Sequence, residues 1–225
     1  FVIIYQKIDN IVLSLYIYKL KMNNIKVFDN DLPDIDLSAE KTVSLDCEAL
    51  GLVLGRDPLT LVQIGLESKN FYLIKLNRDT YKAPNLVKLL SNTKIEFIMH
   101  YARQDLLWLK YHLNVSPNNI FCTKVASKIA RTASSMHGYK DLVKEICGKD
   151  ISKKEQQSDW GNPSLSEKQI SYAAQDTEYL FEIKNKLVKM MEREKRKDLF
   201  KKCMKVIPTL VDMEISGFKL NIFEH

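Results

Sequence analysis

Three short apolar runs follow one another with only brief polar connections: Thr42–Asp46 (TVSLD), Leu59–Leu66 (LTLVQIGL) and Phe71–Leu76 (FYLIKL). Each is rich in the branched and aromatic residues that suit extended backbone. The four residues between the last two, Glu67-Ser68-Lys69-Asn70, have turn character. Such a succession predicts a meander of adjacent strands. From Thr123 onward the period changes to that of helices: Thr123–Arg131, Tyr139–Cys147, then Ser166 to about Lys205 with one or more breaks. Ser166 with Gln169 three residues later is a capping box. Between these halves lie a short helix (Asn85–Leu90), a buried strand (Ile95–Met99), an amphipathic helix (Ala102–Leu113) and a short strand at Ile120–Phe121. The expectation is one α/β domain, a mixed sheet flanked by helices.

Composition closes off other classes. Hydrophobic residues are 45% and charged residues 28% of 225, which excludes disorder and fibrous repeats. Cys47, Cys122, Cys147 and Cys203 form no CxxC pair, so neither a disulfide framework nor a cysteine zinc site is expected. This usage fits a reducing compartment such as the cytoplasm. Ile11–Leu20 is apolar but too short to span a bilayer, so no membrane partner is expected. The chain opens on Phe1, and Met22 begins a run that reads like a natural start. Residues 1–21 are therefore expected to lie outside the functional domain, residues 22–225, with a packed extra element as the alternative. Net charge is +6, and residues 189–205 hold eight Lys/Arg against three Asp/Glu. That segment is either a solvated helix face or a contact surface for phosphates.

Carboxylates stand out at three places. Asp46 and Glu48 alternate along a strand, so both point to one side. Two carboxylates that close repel unless a hard divalent cation such as Mg²⁺ or Mn²⁺ lies between them. The alternative is a solvated strand end. Asp105 falls in the first turn of a helix, just after His100 at the end of a buried strand. The helix dipole would favour a carboxylate there with no catalytic role. Tyr172 and Asp176 are i and i+4 on one helix face, with Ala173 and Ala174 between them allowing close approach of a neighbouring backbone; the alternative is a tyrosine packed in the core with Asp176 as a surface charge.

Taken in order, Asp46, Glu48, Asp105, Tyr172 and Asp176 resemble the signature of the DEDD superfamily of 3′–5′ exonucleases, in its tyrosine-bearing branch. The resemblance is to the ribonuclease D-like proteins and runs from about Lys26 to Phe218. It includes LVQIG at 61–65, HYARQDLLWL at 100–109, FCTKVASKI at 121–129, HGYKDLVKEICG at 137–148, QQSDW at 156–160 and LSEKQISYAAQDTEYL at 165–180. It is closest to the short, single-domain members without a helical HRDC domain. Where many relatives have Asp-Thr this chain has Cys122-Thr123, so that position is not counted as a ligand. Tyr101 stands where proofreading relatives often carry Asn. The histidine of the other branch would fall at Ser171.

The resemblance implies a ribonuclease H-like (DnaQ-like exonuclease) fold and two divalent ions, Mg²⁺ or Mn²⁺. Asp46, Glu48 and Asp176 would hold one ion, with Asp46 bridging to a second near Asp105. Tyr172 would orient the attacking water. An unperturbed phenol titrates near 10, too high for an efficient base at neutral pH. The substrate would be the 3′ end of a single strand, RNA or DNA, most of all RNA in tRNA or small-RNA processing. By the same resemblance Leu52 would wedge beside the terminal base; His100 is either a group near the substrate or a structural histidine at the strand end, and Gln63 is a candidate substrate contact. Trp160 is either a stacking residue or core. Three other readings remain: an inactive nucleic-acid-binding or interaction module on the same fold, a protein-interaction role for the basic C-terminal helix independent of catalysis, and a DNA proofreading exonuclease.

Overall fold

The computed structural model describes residues 22 and 24–217; the expected extension, residues 1–21, lies outside the described residues, as do residues 218–225. Six strands form one mixed sheet: β1 (Ile25–Asp29), β2 (Thr42–Ala49), β3 (Leu59–Gly65), β4 (Phe71–Lys75), β5 (Glu96–Met99) and β6 (Ile120–Cys122). Their spatial order is β1-β4-β3-β2-β5-β6. β2, β3 and β4 are the antiparallel meander, while β5 and β6 run parallel to β2 and β1 runs parallel to β4. The helices are α1 (Pro84–Leu90), α2 (Ala102–Leu113), α3 (Thr123–Ala130), α4 (Tyr139–Cys147), α5 (Glu167–Glu178), α6 (Leu180–Arg193) and α7 (Lys197–Ser216).

Period-two alternation sorts the strand side chains onto the two faces of the sheet. Val43, Leu45, Val62, Ile64, Phe97 and Met99 share a core with Leu86 of α1, Leu106 and Leu109 of α2, and Ile207 and Val211 of α7. On the other face Leu61 and Leu73 pack with Trp160, Tyr172 and Ala173, and Ile98 and Phe121 pack with residues of α3, α4 and α6. Asp46 and Glu48 alternate with Leu45 and Cys47, so they project toward the face that α5 covers. The fully buried Ala173 and Ala174 let α5 lie close on β3. Gly65 is needed for the same approach. A Cβ there would fall 2.4 Å from Ser44 Oγ and 3.0 Å from Thr177 Oγ1, the residue after Asp176.

The structure differs from the sequence reading in β1, in the length of β2 and in the end of α7. β1 has no counterpart in the sequence reading; it is a half-exposed edge strand whose IKVFD pattern carries little apolar weight. β2 continues past Asp46 through Ala49, so Glu48 sits on the same strand, just before an irregularity in its pairing with β3. As expected, the long helical stretch from Ser166 is broken, at Tyr179 and at Lys195, whose left-handed φ of 55° turns the chain between α6 and α7. α7 then runs on to Ser216, well beyond Lys205.

Candidate active site

Parallel β2, β5 and β6 end on the same side of the molecule, and the chain leaves the last two directly into helices. After Met99 the chain passes His100 and turns sharply at Tyr101, a non-glycine residue in the left-handed region (φ 63°) that precedes α2. This reversal places Asp105, in the first turn of α2, above the end of β2. Strain of this kind costs about 1–3 kcal/mol and persists where surrounding structure enforces it. α5 is started by the predicted capping box: Gln169 N–H donates to Ser166 Oγ (3.3 Å) and Ser166 N–H to Gln169 Oε1 (3.0 Å). Gln169 Nε2 also donates to Ser158 Oγ and to the Asp159 carbonyl, tying the segment that carries Trp160 to α5.

These elements bring four of the predicted carboxylates to one cleft. Asp46, Glu48 and Asp176 each offer an oxygen within 4.8 Å of the others. Asp105 and Tyr172 line the same cleft, of about 310 Å³, with His100, Tyr101, Lys124, Tyr139 and Lys153. A second lobe of about 550 Å³ shares Glu48, Gln104, Asp105 and Gln156 with it and extends to Leu50, Gly51, Leu52 and Trp160. Leu52 stands 78% exposed at its edge.

The carboxylates strain one another. Burial, then Asp105, Asp176 and Glu48, push the Asp46 carboxyl well above the usual range. Burial followed by Asp176 and Asp105 does the same to Glu48. Burial raises Asp105, and raises Asp176 to about 7 against the opposing pull of the Tyr172 hydroxyl. One oxygen of Asp105, Oδ2, is buried without a hydrogen-bond partner. Lys153 acts on Asp176 from the rim, yet the charge of the cluster is far from balanced. Oxygen-only donors, mutual repulsion and an orphaned carboxylate oxygen are what a hard divalent cation would resolve, and the residues present fit one.

Tyr172 is 8% exposed, and burial followed by Asp176 raises its phenol further above the ordinary value. In the metal-free protein it therefore stays protonated and able to donate. His100 is neutral: burial, Lys124 and Lys153 lower it to about 3. Its Nδ1 lies 2.9 Å from Thr123 Oγ1, whose proton is directed to the Met99 carbonyl at 3.1 Å. The threonine oxygen is thus the acceptor, Nδ1 carries the imidazole proton, and Nε2 is left with a free lone pair.

Gln63 is placed differently from the other expected contacts. It is fully buried opposite Asp46, and its Nε2 lies 3.4 Å from Glu48 Oε1. It touches the acidic cluster through Glu48 and has no surface in the cleft. Trp160 is 4% exposed and packs against the Tyr172 ring at 6.0 Å, so it supports the tyrosine from beneath. Tyr139 went unnoticed, although it lies inside the HGYKDL run. Its hydroxyl donates to the Gln175 carbonyl (2.7 Å) and accepts the Tyr179 N–H (3.3 Å), clamping the end of α5 that carries Asp176. Thr123 was also missed, because only the folded contact reveals its grip on His100.

An acidic pocket demanding cations, at the edge of this mixed sheet, is suited to phosphodiester hydrolysis, and its setting is that of the DnaQ-like 3′–5′ exonucleases. A profile described as 3′-5′ exonuclease matches residues 35–192, and the chain belongs to that family. Within it the chain is similar to ribonuclease D: 34% identical over 162 residues to that of Gluconacetobacter diazotrophicus, covering 72% of this chain and 41% of that protein. It is 37% identical over 111 residues to ribonuclease D of Xanthomonas oryzae pv. oryzae, covering 49% and 30%. The chain thus spans less than half the length of these curated relatives. Brucella melitensis NrnC is matched almost end to end, with a TM-score of 0.83 and 39% identity over 89% of this chain and 98% of that one. NrnC has also been solved with bound Mg²⁺ and bound to pGG. Escherichia coli RNase D, at 22% identity and a TM-score of 0.68, shares the fold. The oxygen donors of Asp46, Glu48 and Asp176 suit a divalent metal ion, as does the relative solved with bound Mg²⁺. No helix among the described residues is long and apolar enough to cross a membrane.

Proposed function

We propose that residues 22–225 form a 3′–5′ exonuclease that removes nucleoside 5′-monophosphates one at a time from single-stranded 3′ ends, RNA foremost. The observation that carries this reading is the convergence of Asp46, Glu48 and Asp176 within 4.8 Å, beside Asp105 with its unpartnered oxygen. Asp46, Glu48 and Asp176 would hold one Mg²⁺ or Mn²⁺ ion, and Asp46 with Asp105 a second. Bound there, the pair would supply positive charge to the scissile phosphate and lower the pKa of a water. The chain's own groups do the rest. Tyr172, protonated and directed at Asp176, orients the attacking water by donating or accepting a hydrogen bond. Neutral His100 offers Nε2 as an acceptor for a sugar hydroxyl. Leu52 lies along the terminal base, a contact tolerant of base identity.

The similarity to ribonuclease D favours RNA, in 3′ processing of tRNA or small RNAs. The NrnC complex with pGG extends the range down to dinucleotides. Four free cysteines fit a cytoplasmic setting. The test is a gel assay on matched single-stranded RNA and DNA and on a 5′-phosphorylated dinucleotide, each with Mg²⁺, Mn²⁺ or EDTA. RNA ends and the dinucleotide should be consumed with metal and untouched in EDTA. Degradation of DNA alone would move the reading to a proofreading-type enzyme. No degradation would leave a nucleic-acid-binding module.

A further inference from the structure

One covered carboxylate takes no part in the chemistry above. Asp57, in the loop between β2 and β3, is 8% exposed although it lies at the edge of the fold. It is covered by the loop that it ties. Its Oδ2 accepts the Val53 N–H at 2.9 Å, and its backbone N–H closes back on the Val53 carbonyl at 2.9 Å. Arg56 grips it from outside with Nε on Oδ1 (2.6 Å) and Nη2 on Oδ2 (2.8 Å), while 70% of the arginine side chain stays in solvent. Gly51 completes the arrangement. It adopts φ +153°, and a Cβ there would fall 2.1 Å from Asp57 Oδ2, so only glycine leaves room for the carboxylate.

The residue this loop presents is Leu52, 78% exposed, the most exposed large hydrophobic among the described residues, with Val53 at 48% beside it. Exposing two adjacent apolar side chains is unfavourable, and a mobile loop would fold them onto the body. A buried carboxylate that receives a backbone N–H and a guanidinium fork is a rigid tie. The tie holds the backbone of 52–53, and with it the direction in which Leu52 projects over the second lobe of the cleft. We infer that Asp57 is a positioning residue that fixes Leu52 as the wall against which the terminal base of the substrate is held. This deepens the exonuclease reading and rests on it.

A double-mutant cycle decides the matter, with KM and kcat measured on a short single-stranded RNA in Mg²⁺. Leu52→Ala should raise KM by about tenfold, the scale of one lost apolar contact. Asp57→Ala should raise KM to a similar degree with less change in kcat, and the double variant should be no worse than Leu52→Ala. Asp57→Asn keeps one acceptor for the loop N–H and should recover much of the loss. Gly51→Ala, which leaves Asp57 in place but displaces its carboxylate, should copy Asp57→Ala. Thermal melts guard against global unfolding, and Gly51→Ala carries the test if Asp57→Ala does not fold. Multiplying effects in the double variant would overturn the inference, as would wild-type KM in either Asp57→Ala or Leu52→Ala. Failure of the wild-type protein to release mononucleotides would instead sink the exonuclease reading itself.

Discussion

Asp176→Asn should abolish activity and yet make the metal-free protein more stable at pH 8. Burial lifts the Asp176 carboxyl from 3.8 to about 7, against the opposing pull of the Tyr172 hydroxyl and Lys153. The folded protein therefore holds this proton more tightly than the unfolded chain does. Relative to acid conditions, the folded state loses stability as the pH rises from about 4 to 7, and the loss is complete above 7. A unit of pKa is worth about 1.4 kcal/mol, so the gap sets a ceiling of about 4 kcal/mol. The cleft is open to water and counter-ions, and a working figure of about 1–2 kcal/mol is more realistic. For a domain of this size, each kcal/mol moves the melting midpoint by about 2–4 °C. Melts followed by circular dichroism in EDTA should show the Asn variant several degrees above the wild type at pH 8, with a smaller advantage at pH 5. Adding Mg²⁺ should raise the wild type by mass action and the variant much less. A variant that melts below the wild type in EDTA at pH 8, or an advantage flat across this range, would refute the reasoning.

Three further outcomes follow from the geometry. Tyr172→Phe keeps the ring on Trp160 and removes only the hydroxyl, so kcat should fall by about 10²-fold while KM and the Mg²⁺-induced rise in melting temperature stay unchanged; a wild-type kcat would make the tyrosine a packing residue. Because burial and then the Asp176 charge raise its phenol in the metal-free protein, an ultraviolet pH titration in EDTA should show the wild type and Tyr172→Phe releasing the same number of phenolic protons through the ordinary tyrosine range, and one extra proton in the wild type would contradict this. Lys197, Lys201 and Lys205 line a groove with Asn118 and Asn119, at the opposite ends of the strands from the acidic cleft. Reversing Lys197, Lys201 and Lys202 to Glu should therefore leave dinucleotide turnover intact, and weaken and flatten the salt dependence of binding for long strands only; an unchanged salt slope on long RNA would return this surface to a solvated helix face.

The meander and most helices could be read from the sequence because each follows its own period. Asp46 and Glu48 were visible for the same reason: alternation alone places them on one side of a strand. The i, i+4 spacing of Tyr172 and Asp176 and the Ser166 capping box are equally local. What escaped depended on partners distant in the chain. The half-exposed β1 becomes a strand only because β4 offers an edge. Gln63 looked like a surface contact, yet its register opposite Asp46 buries it. Tyr139 and Thr123 gain meaning from the carbonyls they meet in the fold, and Asp57 from the glycine six residues before it. No single-residue property announces such contacts.

The central claim is that Asp46, Glu48, Asp105 and Asp176 form a metal-dependent centre that trims nucleic acid from the 3′ end. It is tested most directly by product analysis on a short RNA labelled at its 5′ end, with the released nucleotides identified by mass spectrometry. With Mg²⁺ the wild-type protein should yield a ladder shortening from the 3′ end together with nucleoside 5′-monophosphates, and nothing in EDTA. Asp46→Asn, folded by its melt, should yield nothing in either. Release of 3′-monophosphates, shortening from the 5′ end, or full activity in Asp46→Asn would contradict the account.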